Sequence, residues 1–395
     1  MPAFLIRCNE IAVLYLAEGS EPSTNERLEG FIVTAEDGKD GTNDPVANDF
    51  YTCIMEIAMK EESAIGPSLD TVSARSVAEN EALCASRGIS TGTQSAFEFQ
   101  LENLQINTGG VIGFSVKHIE SGDEISVNGR VRFKMASTAK VVIAAGVLAM
   151  VDRDKIRLDQ IIEISPRETE ALGDVAASLV HPGVMLSVQN LIELMIVRSS
   201  NTATDSLLRI IGGPKYVAEW LQALDITGLE VNSTFTELSR QFYELSADIL
   251  PYKEMRARFP HEADLDRYDE LVRPHFEESA GDTTCPQAMT EFLSKALTTS
   301  EVLSQRSRAF LISTMGRCQT AQQRMKGLLP AAVPVFRKSG WGGGTVSDVG
   351  LVTLPQGRGQ LILSAYIKLS DAPLSTRDRA IAELSRSAYD YFSTR

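Results

Sequence analysis

A chain of 395 residues is long enough to bury a full core, as one large domain or as two. Its 43% hydrophobic and 23% charged residues are ordinary for a soluble globular protein, and 38 basic against 52 acidic side chains leave a net charge of −14. That balance argues against a nucleic-acid partner, which needs a basic footprint, and against adsorption to anionic membranes; its plain consequence is solubility. No stretch reaches the length of a membrane span. The 5 cysteines (8, 53, 84, 285 and 318) show no Cys-x-x-Cys spacing, and the 4 histidines (118, 181, 261 and 275) form no His-x-His or His-x-x-x-His pair, so no metal or other cofactor is expected.

The opening "MPAFLIRCNEIAVLYLAEGSEP" has apolar pieces interrupted by Arg7 and Glu10, without the cationic start and unbroken apolar core of a signal peptide; as written, the chain reads as intracellular. Residues 1–92 form an N-terminal extension of unknown role, with "EDGKDGTNDPVAND" a polar loop and "FYTCIMEIAMKEE" a short helix. A tail, a small appended subdomain and a start codon placed too early all fit this region. Residues 93–395 form the main domain. There "SAFEFQLENLQI" has helical spacing, and "GGVIGFSVKHIESGDEISVNG" reads as two strands about a Ser-Gly-Asp turn. A helical lobe over about 141–325 follows, with "SVQNLIELMIVRS", "TATDSLLRIIGG" and "PQAMTEFLSKALTT" each bounded by Gly, Pro or Ser. Strands return in "VPVFRKSGW", "VSDVGLVTL" and "QLILSAYIKL", and "TRDRAIAELSRSAYDYF" is a last helix. Strands at both ends around a helical middle predict an α/β (α+β) fold. Its antiparallel sheet takes the early hairpin beside the late strands, with the first and last helices covering it and an all-helical lobe alongside.

Within this frame "FKMASTAKVVIAAGVLAM" puts Ser137 and Lys140 at the mouth of an apolar run that predicts a helix buried on all sides. The two side chains lie one turn apart on one face. Burying the ammonium favours its neutral, basic form, which is how a serine is activated without a histidine. Two further segments strengthen a signal that is weak alone. "RSSNTATDSLL" sets Ser199 and Asn201 in a break between helices, and "FRKSGWGGGT" sets Lys338, Ser339 and Gly340 on a strand. Strand alternation gives Lys338 and Gly340 one face and Ser339 the other, unless a bulge at the glycines turns its hydroxyl to the rim. No Gly-x-Ser-x-Gly occurs, which disfavours an α/β-hydrolase, and no Lys-Ser/Thr follows the glycines as a phosphate loop requires.

The three segments in this order resemble the Ser-x-x-Lys, Ser-x-Asn and Lys-Thr/Ser-Gly motifs of serine β-lactamases and penicillin-binding proteins. The 62-residue separation of Ser137 from Ser199, the "SSNTATDSLLRIIGG" context and "DTTCPQAM" resemble class A β-lactamases in particular, over roughly residues 95–395. The resemblance implies a five-stranded antiparallel sheet flanked by helices. Ser137 is then the nucleophile and Lys140 its base, or the partner of that base. Ser199 relays a proton to the leaving nitrogen with help from Lys338, whose charge attracts a substrate carboxylate. Asn201 binds the acylamide group, Ser339 and Gly340 border the substrate, and the backbone N–H groups of Ser137 and Trp341 form the oxyanion hole. An indole at 341, where the family has a small residue, either crowds the entering substrate or is a packed strand aromatic.

Class A enzymes discard the acyl group with water activated by an omega-loop glutamate. Counting back without gaps from Asp282 sets "LDRYDEL" on that loop, matches Arg267 and Asp282 to its clamping ion pair, and drops Asp269 on the glutamate's place, with Glu270 next in line. Both are otherwise ordinary solvated acids. The 139 residues from Ser199 to Lys338 exceed the family's usual span, and the excess falls at about 237–264 as a lid or a surface excursion. "TVSDVGLV" lacks the arginine that often grips the substrate carboxylate, and Ala136 and Gly342 exclude the carbapenemase disulfide. The expected function is a serine β-lactamase acting on a small-molecule substrate. An acyl-serine esterase or D-amino-acid peptidase, and a penicillin-binding sensor that stays acylated, are the alternatives. Family members are usually exported, in tension with the missing leader.

Overall fold

The computed structural model describes three strands within residues 1–34 and, from residue 100 onward, everything except 101–102, 166–182, 247–250, 262–263, 265–267, 280, 395 and the side chains of 251–253 and 256. The chain divides into two units, Met1–Ile89 and Ser90–Arg395. In the first, strands β1 (Ala3–Cys8), β2 (Ile11–Leu16) and β3 (Glu29–Thr34) pair antiparallel in that order. The polar loop and short helix expected over 36–62 lie outside the described residues.

The second unit holds a five-stranded antiparallel sheet ordered β11 (Val335–Gly342), β12 (Thr345–Thr353), β13 (Gln360–Lys368), β4 (Val111–His118) and β5 (Glu124–Val127). The early hairpin thus joins the late strands, with Ile112 opposite Ile367 and Val116 opposite Leu363. Both faces of this sheet are covered, so β4 and β12 are buried along nearly their whole length and show no polar alternation. Leu361, Leu363, Ala365 and Ile367 pack against Ile381, Leu384 and Ala388 of the last helix, with Leu104 from a short helix over 103–108. Ile362 and Tyr366, on the other side of β13, join the core of the helical lobe.

At the centre of that core lies α1 (Ala139–Asp152), buried from Ala139 through Ala149 as its unbroken apolar run predicts. Around it stand α2 (Val188–Val197), α3 (Asn201–Ile211), α4 (Pro214–Ala223), α8 (Pro286–Thr298) and α9 (Gln305–Met315), and α10 (Leu374–Ser393) closes the chain. Gly212, at φ 99°, ends α3 in the left-handed conformation that glycine adopts without a side-chain clash. No described helix is long and apolar enough to cross a membrane.

β7 (Ile161–Glu163) pairs with β8 (Met185–Ser187), and a further sheet of two-residue strands, β6 (Phe133–Lys134), β10 (Thr283–Thr284) and β9 (Leu229–Glu230), ties the Ser137 segment to the base of a long loop. Above that base run α5 (Phe235–Tyr243), α6 (Pro251–Arg258) and α7 (Pro274–Glu278).

Candidate active site

Ser137 sits in a single 3₁₀ turn, Ala136–Thr138, immediately before α1. Ala136 takes φ 46°, a strained conformation for a side-chain-bearing residue, and Ser199 in the break between α2 and α3 takes φ 61°. Both turns are held from outside. The Thr138 hydroxyl donates to Met135 O at 2.7 Å, Met135 N donates to Asp282 O at 3.0 Å, and Ser200 caps α3 by accepting from Ala203 N.

The result is one continuous hydrogen-bonded chain. Lys140 Nζ donates to Ser137 Oγ at 2.8 Å, Asn201 Oδ1 at 2.5 Å and Ser199 O at 2.9 Å, and it lies 3.3 Å from Ser199 Oγ. Lys338 Nζ reaches the same Ser199 hydroxyl from the sheet side at 2.9 Å. Both amino groups belong to fully buried residues. Burial pushes Lys338 down to about 8, against smaller opposing effects of Cys318 and Asp348.

Strand β11 brings Lys338 to this chain through the glycine at 340. A Cβ there would lie 2.6 Å from Ser347 Oγ, 2.8 Å from Met135 O and 3.0 Å from Ser137 N, and two of these three atoms are backbone. Gly340→Ala therefore forces β11 away from the nucleophile's own amide. A displacement near 1 Å costs about 100-fold in rate, so acylation should fall by about that factor with circular dichroism unchanged.

The cleft so formed has a volume of about 300 Å³ and is walled by Lys134, Ser137, Ser199, Asn201, Phe235, Phe242, Tyr243, Asp269, Phe276, Asp282 and Trp341. Trp341 is 36% exposed and so is a wall of the cleft rather than a packed core aromatic. A larger cavity, about 420 Å³, lies beside the start of α10 against Gln323, Leu374 and Asp378 and contains none of these groups.

Three expectations need correction. Ser339 keeps the alternation of an unbulged strand: it is 4% exposed and its hydroxyl shares a 2.6 Å hydrogen bond with Thr320, so the structure does not bring it into the cleft. Glu270 is exposed, stands apart from the cleft walls, and acts electrostatically on Arg377 at the start of α10. The loop is also longer than a gap-free count allows. Asp282 Oδ1 accepts from Asn232 N at 2.7 Å and Ser233 N at 3.0 Å, and β9 pairs with β10, so the loop closes at 232 and 282. The extra residues lie inside it rather than upstream, and positions counted back from Asp282 drift from their places at its other end. Arg267 lies outside the described residues, and backbone amides hold Asp282 Oδ1 in the role expected of an arginine. Burial pushes the Asp282 carboxyl up to about 7.

Asp269 does reach the cleft wall, where its Oδ1 accepts from Tyr243 Oη at 2.7 Å and its carbonyl accepts from Gly343 N at 2.8 Å. Burial of Tyr243, with the Asp269 charge beside it, pushes the phenol up and keeps it a donor. The loop segment is thus a lid joined to the β11–β12 hairpin. Gly343 and Gly344 make that tight turn at φ 63° and 80°, and a Cβ on either would meet Phe242 or Val272 of the lid at 2.8 Å.

The side chain that covers Lys140 escaped the sequence reading. The Phe235 ring centroid is 4.0 Å from Lys140 Nζ. Its place is fixed by Asp205, whose carboxylate accepts from Phe235 N at 2.7 Å, Thr236 N at 2.9 Å and Thr236 Oγ1 at 2.7 Å. A capping box between Thr234 and Glu237 fixes the same turn, and that Thr-x-x-Glu spacing was the available signal.

The family model for the beta-lactamase enzyme family matches residues 96–392. The chain belongs to that family. Among curated relatives it is 22% identical to beta-lactamase VEB-1 of Pseudomonas aeruginosa, over 74% of this chain and 89% of that protein. It is 25% identical to the extended-spectrum beta-lactamase PER-1 of the same organism, over 74% and 86%. A class A β-lactamase described as the last common ancestor of Gram-negative bacteria superposes with a TM-score of 0.62 at 28% identity, covering 75% of this chain and 99% of that one. A β-lactamase structure from Chitinophaga pinensis shares the fold at 23% identity, with a TM-score of 0.61 over 75% and 99%. The protein is a class A β-lactamase-type serine hydrolase with the mixed helix and antiparallel-sheet fold that its motifs implied.

Proposed function

We propose that the enzyme opens β-lactam rings by acylation of Ser137 and releases the product by hydrolysis. The observation that carries this reading is the unbroken hydrogen-bonded chain from Ser137 through Lys140 and Ser199 to Lys338, inside a mostly apolar cleft. Neutral Lys140 takes the Ser137 proton as Oγ attacks the lactam carbonyl. The amides of Ser137 and Trp341 receive the oxyanion, each such donor being worth about 10²–10³ in rate. Ser199 then protonates the departing nitrogen, with its proton restored from Lys338. Asn201, whose Oδ1 accepts from Lys140, lines the cleft and donates from its amide N–H₂ to the acylamide carbonyl. Asp269 is the expected water activator that lines the cleft, where its Oδ1 accepts from Tyr243 Oη at 2.7 Å.

Intact mass after mixing with benzylpenicillin tests the reading. Wild type should carry a transient adduct, Asp269→Asn a lasting one, and turnover of Asp269→Asn at the wild-type rate rejects Asp269 as the activator. The absence of an arginine from β12 favours a second reading, an acyl-serine esterase or D-amino-acid peptidase. Silence towards a chromogenic cephalosporin together with ester cleavage would select it.

The ammonium of Lys338, held behind Ser199 at 2.9 Å, is a charge that attracts a substrate carboxylate, and it is lost as pH rises through about 8. The apparent second-order rate for benzylpenicillin should therefore fall above that pH. Lys338→Arg, charged throughout, should move the falling limb upward, and a limb at the same pH in both proteins assigns it to another group.

A further inference from the structure

Phe235 is an aromatic ring seated on the amine that must act as a base, and nothing in the acylation scheme uses it. We infer that Phe235 is a positioning residue that sets the lifetime of the acyl-enzyme, holding Lys140 as the ammonium that acylation leaves and keeping water from that side of the ester. The inference rests on the acyl-serine reading above and concerns its second half.

The ring is 4.0 Å from Nζ, within the range where an aromatic face favours a cation over the neutral amine. It is 6% exposed and lines the cleft beside Ser137, so it occupies volume that a water would otherwise take. It is not a mobile side chain resting there. Asp205 receives three hydrogen bonds from Phe235 and Thr236, and the Thr234–Glu237 box closes the turn from the other side.

The bookkeeping of protons gives this contact its effect. During acylation the Ser137 Oγ–H bond breaks, Oγ bonds to the acyl carbon, and the proton moves to Lys140; the lactam C–N bond breaks and nitrogen takes a proton from Ser199, which Lys338 reprotonates at 2.9 Å. Hydrolysis then needs water to bond to the acyl carbon while a base takes its proton, after which the C–Oγ bond breaks and Oγ is reprotonated. An ammonium has no lone pair for that water proton and the Phe235 ring accepts none, so on this side of the ester neither group assists Asp269. Stabilising the ammonium and excluding water both lengthen the acyl-enzyme's life.

The test is a chase by intact mass on the full chain. Wild type, Phe235→Leu, Phe235→Tyr and Phe235→Glu are acylated with benzylpenicillin, excess ligand is removed, and loss of the adduct is timed. Phe235→Leu, which keeps bulk but loses the ring face, should lose its adduct about tenfold faster than wild type. Phe235→Tyr should keep the wild-type lifetime, and Phe235→Glu, which adds an acceptor for the water proton, should lose it fastest. Acylation should be no slower in Phe235→Leu, whereas general damage to the site would slow both steps together. Equal lifetimes in wild type, Leu and Glu variants, or a Tyr variant as short-lived as Leu, overturn the proposal. Failure of wild type to acquire any adduct overturns the acyl-serine reading itself, a result visible before any variant is compared.

Discussion

Ser137→Ala should abolish covalent capture of benzylpenicillin, lowering any ring opening by at least ~10⁴-fold. The hydroxyl is the group against which Lys140 Nζ is held at 2.8 Å, and the turn that presents it is tied to β6 and β10 through Met135 and Asp282. Removing one oxygen leaves Lys140 bonded to Asn201 and Ser199, so the cleft should keep its shape and its affinity for intact ligand. Mass spectrometry reads the adduct and calorimetry the residual binding. A full adduct on the variant would place the nucleophile elsewhere.

The second large effect is on stability. Arg324 is 2% exposed and its guanidinium joins three elements, bonding Asp378 Oδ1 of α10 at 2.5 Å, Gly340 O of β11 at 2.6 Å and Ser347 O of β12 at 3.1 Å. Arg324→Ala strips a buried carboxylate of its counter-charge, and breaking one side of such a pair costs about 3–5 kcal/mol. Chemical denaturation at fixed pH should show that loss. Arg324→Ala with Asp378→Ala should recover part of it, because no uncompensated charge then stays buried. Since Arg324 also grips the carbonyl of Gly340, the single variant should acylate more slowly at temperatures where it remains folded. An unchanged midpoint would mean that water replaces the guanidinium at little cost.

The lid reframes the excess residues between Ser199 and Lys338. With its ends closed at 232 and 282, the segment contributes Phe242, Tyr243, Asp269 and Phe276 to the cleft, and so the wall facing the nucleophile is largely aromatic. Trp341 adds a ring from the sheet side. If Ser137 is acylated as proposed, acyl groups with flat, apolar substituents should therefore react faster than small ones.

Local chemistry determined much of this protein. The unbroken apolar run after Lys140 can only be a buried helix, the Ser-x-x-Lys spacing sets two side chains one turn apart, and alternation along β11 separates Lys338 from Ser339. Each of these follows from the geometry of a single element, so each was legible in the sequence. The loop's closure was not. Asp282 is held by the backbone amides of Asn232 and Ser233, groups that every residue but proline carries, and no residue type marks them. Counting along the chain therefore could not show that Lys140 is covered by Phe235, a side chain brought there by Asp205 from another helix. Sequence determined the Ser137–Lys140 pair and the facing of Lys338, because each is set by offsets within one element; the tertiary structure alone decided what faces them, because contacts across a long loop leave no period to read.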